Sequence, residues 1–208
     1  MHPGLGGRGI TIVSGLPRSG TSLMMQMLEA AGLSIARDDE RPPDADNPRG
    51  YHELAAVKRI RADADFVRGL AGRVVKVVAP LLVHLPSGPD YRVLFLERDL
   101  EAVLASQATM LARRGGATDA DEQAALARAF GKSLERARRW LAERPAIATC
   151  FVSHARLLAD PLPVALEIAS FLEESGAFAE PPDAMRRGER ARAMADVVDP
   201  TLHRAGRA

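Results

Sequence analysis

The stretch GLPRSGTS, residues 15–22, follows one apolar run and precedes another. A turn between a strand and a helix directs backbone N–H groups and the positive end of the helix dipole at one spot, which favours an anion. Ser19, Thr21 and Ser22 add hydroxyl donors. A nucleotide-binding loop of this shape carries a lysine where this chain has Thr21, and the nearest cation is Arg18. A guanidinium can hold a terminal oxyanion through two parallel hydrogen bonds, so the stretch predicts an oxyanion site.

A second group of candidate residues lies in FLERDLEAVLAS, residues 95–106. Arg98 stands at the end of an apolar run, and Ser106 follows eight positions later in a helical pattern. Both side chains can converge on a second phosphate near a sheet edge. The spacing alone is common, and it equally fits an ordinary helix start with Asp99 as its cap.

Lys76 interrupts the apolar run VVKVV, residues 74–78. An unpaired cation buried in a strand is costly. Two interpretations stay open: the amine reaches an anion at the sheet edge, or it extends along the apolar surface to solvent.

The elements that must position these residues alternate along the chain. Apolar runs, three of them without polar alternation, predict strands at 7–15, 72–80, 91–98 and 146–153. Helical patterns cover 21–31, 51–69, 100–113, 121–143 and 161–172, with a basic helical tail from residue 183 and a short helical turn at 81–86. This order predicts the α/β fold class, with a P-loop-type parallel sheet of four to five strands and helices on both faces, in a single domain over residues 1–208.

In such sheets, ligands bind at the carboxyl ends of the strands. We therefore expect residues 15–22, Arg98 and the residues after Val78 to lie along one edge of the sheet.

The composition limits the classes of partner that the chain is expected to bind. The 208 residues are 47% hydrophobic with a formal net charge of +1, which does not indicate a nucleic-acid or membrane partner. No apolar run approaches the roughly 20 residues needed to span a bilayer. The start of the chain has no signal-peptide pattern, and the single cysteine, Cys150, cannot form an internal disulfide. We expect a cytoplasmic protein; its oligomeric state is open.

These motifs together resemble the sulfotransferases that use 3′-phosphoadenosine-5′-phosphosulfate (PAPS). GLPRSGTS looks like the family's 5′-phosphosulfate loop, often PRSGTT or PKSGTT. RDLEAVLAS is similar to its 3′-phosphate motif, and FVSHARLLADP to the following strand and turn. Over nearly its whole length the chain resembles a group of compact bacterial sulfotransferase-like proteins, with which it shares SGLPRSGTS, MMQMLEA, PLL and a VDP ending.

The resemblance implies that PAPS is the co-substrate, that PAP (3′-phosphoadenosine-5′-phosphate) is released, and that no metal is required. By resemblance, the 5′-phosphosulfate is held by Pro17, Arg18, Ser19, Gly20, Thr21 and Ser22. The 3′-phosphate is held by Arg98 and Ser106, with Arg204 or the neighbouring arginines of the tail as further candidates. Lys76 matches a lysine that relatives carry at the same strand end, and it joins Arg18 as a catalytic candidate.

Sulfuryl transfer also needs a base that takes the proton of the acceptor. Many eukaryotic members carry a histidine where this chain has Val78. Some bacterial members use a glutamate after the first helix, which makes Glu53 the first candidate and His52 the second. Glu53 also fits a helix start, where a carboxylate favours the dipole.

The acceptor is not implied: a hydroxyl or amine on a small molecule, a glycan or a lipid is expected. Two alternatives remain open. One is a P-loop kinase that uses Mg-ATP, with Glu97 or Asp99 as its carboxylate. The other is a non-catalytic nucleotide-binding protein that has kept this fold.

Overall fold

The computed structural model describes residues 9–199 except 39, 41, 45, 46, 114, 117 and 118. The strands are β1 Ile10–Gly15, β2 Ser34–Ile35, β3 Arg73–Lys76, β4 Tyr91–Glu97 and β5 Ala148–Ser153. The α-helices are α1 Thr21–Ala30, α2 Ala79–Leu82, α3 Leu100–Arg113, α4 Ala120–Ala142, α5 His154–Ala159, α6 Pro161–Glu174 and α7 Ala184–Asp196. Two 3₁₀ helices, Ala55–Arg59 and Asp65–Leu70, lie between β2 and β3.

The five strands form one sheet in the order β2-β3-β1-β4-β5, and every neighbouring pair is parallel. All six residues of β1 are buried, as expected for a central strand that is covered on both faces. The predicted fold class is confirmed.

Two apolar cores, one on each face of the sheet, hold the helices in place. The first contains the buried side chains of α1, α6 and α7 against alternate residues of β1, β3, β4 and β5. The second contains the side chains of α2, α3, α4 and both 3₁₀ helices against the other residues of the sheet. Helices therefore cover both faces, as predicted.

The structure corrects the sequence prediction between β2 and β3. The helical pattern predicted over 51–69 is two short 3₁₀ helices joined by a turn. Buried residues recur three positions apart in both segments, at Val57 and Ile60 and at Val67 and Leu70. Because 3₁₀ and α-helices share this spacing, the sequence pattern does not distinguish them. The two-residue strand β2 was not predicted, since two residues carry no periodic signal.

No helix among the described residues is long and apolar enough to cross a bilayer.

Candidate functional site

A cleft of about 580 Å³ opens at the carboxyl ends of the strands, the edge that the sequence predicted. It is lined by the loop that joins β1 to α1, by the ends of β3 and β4, by the first residue of α5, by one side of α3 and by residues 47–49, 51 and 53. Its volume falls within the range of small-ligand sites in proteins.

Two glycines of the first loop are required by its geometry. Gly15 has φ +142°, and a Cβ there would lie 2.5 Å from Ser19 Oγ and 2.7 Å from the carbonyl oxygen of Leu96. Gly20 has φ +97°, and a Cβ there would lie 2.6 Å from the ring of His154. Both φ values lie in the region that favours glycine. The two glycines therefore let the loop pack against β4 and against α5.

The polar groups of the loop divide between the cleft and its support. Pro17, Gly20, Thr21 and Ser22 line the cleft, and no described side chain caps the start of α1, so the first N–H groups of that helix remain for a ligand or water. Ser19 is buried beneath the loop, where its hydroxyl donates to the carbonyl oxygen of Leu16 at 2.7 Å. The Ser19 side chain therefore stabilises the turn, and its contact with a ligand stays a prediction.

Arg18, Arg98 and Ser106 meet on one side of the cleft. Arg18 Nε donates to Ser106 Oγ at 3.0 Å, and Arg98 Nη1 donates to the backbone carbonyl of Arg18 at 2.8 Å. Burial lowers the pKa of Arg98, and the neighbouring charge of Arg18 lowers it further. Among the described residues, no carboxylate forms a salt bridge with either guanidinium. Two neighbouring cations that form no salt bridge with a carboxylate in the described part of the chain favour a bound anion.

Lys76 lies on the other side of the loop, with a side chain that is only 5% exposed. Its amine donates to the carbonyl oxygen of Tyr51 and to Ser22 Oγ at 3.3 Å, and it forms a salt bridge with Glu53, with Oε1 at 3.4 Å. These contacts match the three donors of an ammonium group. Of the two interpretations of this lysine, the structure favours the one in which it meets an anion at the sheet edge, and that anion is the carboxylate of Glu53.

Glu53 and His52 are neighbours in the chain, but the structure separates them. Glu53 lines the cleft next to Lys76. His52 is buried outside the cleft lining, where Nε2 lies 3.4 Å from Glu29 Oε2. His52 as the acceptor's base therefore has no support from this geometry. Arg204, the last of the predicted site residues, lies outside the described residues.

The sequence analysis missed several residues of the cleft lining, among them His154, Arg49 and Asp199, whose side chains are charged or carry an imidazole. His154 follows β5 directly and packs on Gly20, so the rule that ligands gather at strand ends was sufficient to find it. Arg49 and Asp199 lie 3.6 Å apart at the cleft, and Arg49 also donates to the carbonyl oxygen of Val197. No sequence signal joins residues that lie so far apart in the chain.

The two carboxylates offered for a kinase do not line the cleft. Glu97 accepts a hydrogen bond from Arg138 at 2.7 Å on the side of α4. Asp99 accepts from the backbone N–H of Ala102 and caps α3. The kinase interpretation therefore has neither of the carboxylates offered for it in the cleft lining.

A protein-family model matches most of this chain. The model of the family described as "Sulfotransferase domain" matches residues 9–187. Comparison with curated proteins finds no match. Among solved structures, a sulfotransferase from Mycobacterium avium is similar at 14% identity and a TM-score of 0.48, over 89% of this chain and 67% of the other.

Proposed function

This chain belongs to the sulfotransferase domain family, and from that premise we propose that it transfers a sulfuryl group from PAPS to a hydroxyl or amine acceptor and releases PAP. The observation that carries the proposal is the side-by-side placement of Arg18 and Arg98 in the cleft, with Ser106 in contact with the first. PAPS has an anionic group at each end of its adenosine, and a cleft with cations and free helix N–H groups is suited to it.

At the donor end, Arg98 and Ser106 bind the 3′-phosphate. The backbone of residues 17–22 and the hydroxyls of Thr21 and Ser22 bind the 5′-phosphosulfate at the start of α1. Arg18 lies between the two groups and neutralises the charge that develops on the departing 5′-phosphate. The hydrogen bond from Arg18 to Ser106 supports this assignment, because it joins the two predicted anion sites into one continuous surface.

At the acceptor end, Glu53 accepts the proton from the acceptor's hydroxyl or amine as that atom bonds to sulfur. The bond between sulfur and the 5′-phosphate oxygen breaks, and PAP keeps the electron pair. Lys76 donates to the sulfuryl or leaving oxygens during this step and holds Glu53 between reactions. The proximity of Glu53 and Lys76 supports a shared role.

The acceptor is a small molecule, or the exposed end of a glycan or lipid, that brings a hydroxyl or amine to Glu53. Hydrogen-bonding side chains, among them Gln26, Asn47 and Asp199, line this part of the cleft. Such a lining suits a polar acceptor better than a flat aromatic one.

Two measurements test the proposal. PAP raises the melting temperature by mass action, whereas Mg-ATP at the same concentration does not. Radiolabelled sulfate then moves from PAPS to at least one member of a panel of alcohols, amines and glycans.

The alternatives give different results. Stabilisation by Mg-ATP without stabilisation by PAP would indicate a kinase. Binding of PAP without transfer to any acceptor of the panel would indicate a non-catalytic nucleotide-binding protein.

A further inference from the structure

His52 has a left-handed backbone. Its φ is +52°, in the region that favours glycine and that few other residues adopt, although histidine adopts it more often than most. Its side chain is nonetheless buried, at 8% exposure for the residue. A strained and buried residue next to a candidate catalytic carboxylate indicates that surrounding contacts hold it there.

Both nitrogens of the His52 ring lie against acceptors. Nδ1 is 3.2 Å from the carbonyl oxygen of Gly50, and Nε2 is 3.4 Å from Glu29 Oε2 on α1. The same Glu29 oxygen accepts a hydrogen bond from Arg37 at 3.1 Å. The ring therefore connects the segment that carries Glu53 to the first helix and to the chain after β2.

The other flank of Glu53 is fixed by Asp38. The backbone N–H of Asp38 donates to the carbonyl oxygen of Glu53 at 3.0 Å, and its carboxylate accepts from the N–H of Ala55 at 2.6 Å. With His52 on one side and Asp38 on the other, the backbone of Glu53 is held at both ends. The left-handed turn at His52 directs the two neighbouring side chains to different places, His52 to Glu29 and Glu53 to the cleft.

We propose that His52, together with Glu29, is a positioning residue that fixes the carboxylate of Glu53 in the cleft next to Lys76. Its catalytic consequence rests on the proposed function, in which Glu53 is the base. His52 itself touches neither co-substrate nor acceptor. Its contribution is to keep the base in a geometry from which proton transfer occurs.

The protonation state of the ring follows from its surroundings. Burial lowers the pKa of His52, the bond to Gly50 raises it, the charge of Arg37 lowers it, and Glu29 raises it, with a net lowering from 6.5. At neutral pH the ring is therefore neutral and has one N–H donor for two acceptors, so it donates to Gly50 or to Glu29 but not to both at once. Glu29 and Arg37 are the charged groups that face the ring.

Steady-state kinetics separate positioning from folding. His52→Ala removes both ring contacts and is expected to lower kcat about tenfold or more, while the affinity for PAP stays within about twofold of the wild type. His52→Asn tolerates the left-handed backbone and is expected to recover part of the loss. A purely structural role would instead lower activity and PAP binding together.

A second variant leaves the backbone of residue 52 unchanged. Glu29→Gln is expected to lower kcat, as His52→Ala does. Its matched control is Glu167→Gln on α6, whose carboxylate also pairs with an arginine and is 54% exposed against 44% for Glu29. The control is expected to leave kcat unchanged.

Nuclear magnetic resonance of the imidazole tests the contact without any acceptor. Because Glu29 raises the pKa of His52, Glu29→Gln is expected to lower that pKa further, and Glu167→Gln to leave it unchanged. If His52→Ala and Glu29→Gln both turn over at the wild-type rate, the inference is overturned. An unchanged pKa of His52 in Glu29→Gln would also overturn it. If the wild type transfers sulfate to no acceptor, the proposed function is overturned, and with it the effect of His52 on catalysis. The titration of the His52 imidazole still reports whether the contact between His52 and Glu29 exists, so the two failures can be distinguished.

Discussion

The two ends of the cleft differ in whether their cationic side chains are paired with carboxylates. At the donor end, Arg18 and Arg98 contact a hydroxyl and a backbone carbonyl, and no carboxylate among the described residues pairs with them. At the acceptor end, Lys76 lies against Glu53, and Arg49 lies against Asp199.

This difference indicates which end of the cleft binds an anionic ligand. Cations without acidic partners are neutralised when an anion binds, so the donor end gains most from a doubly anionic nucleotide. The acceptor end has paired charges and gains little from a charged ligand. Its pairs instead fix the position of a base, which suits an uncharged acceptor that must lose a proton.

The largest expected effect is loss of the base. Glu53→Gln keeps the shape of the side chain but cannot accept the proton, so kcat is expected to fall by roughly 10²–10⁴ with little change in PAP affinity. Transfer of radiolabelled sulfate measures kcat, and calorimetry measures PAP binding. Equal turnover in Glu53→Gln and wild type would remove Glu53 from the mechanism.

The next largest effect concerns folding at the acceptor end. Lys76→Met removes the buried cation of the ion pair with Glu53 and the hydrogen bonds of that cation to Ser22 and Tyr51, which is expected to cost about 3 kcal/mol in the free energy of unfolding. Urea denaturation measures the loss. Arg156→Met, which breaks an exposed ion pair, serves as the control and is expected to leave stability unchanged. Equal stability in Lys76→Met and wild type would show that the buried network is not structural.

At the donor end, the expected effect is on binding rather than on folding. Arg98→Ala is expected to weaken PAP binding roughly tenfold to a hundredfold, as for loss of a charge-assisted hydrogen bond. Arg138→Ala is the matched control, since Arg138 pairs with Glu97, the residue before Arg98, and does not line the cleft. If both variants weaken PAP binding equally, net charge rather than the position of Arg98 determines affinity.

The smallest expected effect is the pH dependence of stability. Because the pKa of His52 is lowered from 6.5 in the folded protein, the unfolded chain binds more protons below that pH. Stability is therefore expected to fall as pH decreases below about 6.5. The pKa of His84 is also lowered, chiefly by burial, and adds a loss of the same sign. In His52→Asn the loss on acidification is expected to be smaller than in wild type; a larger loss would contradict the direction of the shift.

Much of the donor end was predictable from sequence. Buried strands are continuous apolar runs, so their ends could be located, and parallel strands bring those ends to one edge of the sheet. The placement of Arg18, Arg98 and Ser106 in one cleft follows from those two facts and the spacing of the motifs. The inward turn of Ser19 depends on the local loop geometry and could not be predicted from residue type.

The acceptor end was less predictable, for a physical reason. The left-handed backbone of His52 determines which of His52 and Glu53 enters the cleft. Gly50 is also left-handed, as its residue type suggests, but the residue types at 50–53 do not indicate a second left-handed residue at His52. The contact of Arg49 with Val197 and Asp199 is equally a product of tertiary packing.

Calorimetric titration with PAP and with adenosine 5′-monophosphate, which differs from PAP only in lacking the 3′-phosphate, tests the donor end most directly. The wild type is expected to bind PAP at least about tenfold more tightly, and Arg98→Ala is expected to lose affinity for PAP while keeping its affinity for the monophosphate. Equal affinity of the wild type for the two nucleotides, or an equal loss for both in Arg98→Ala, would contradict the claim that this end of the cleft binds the 3′-phosphate of the sulfuryl donor.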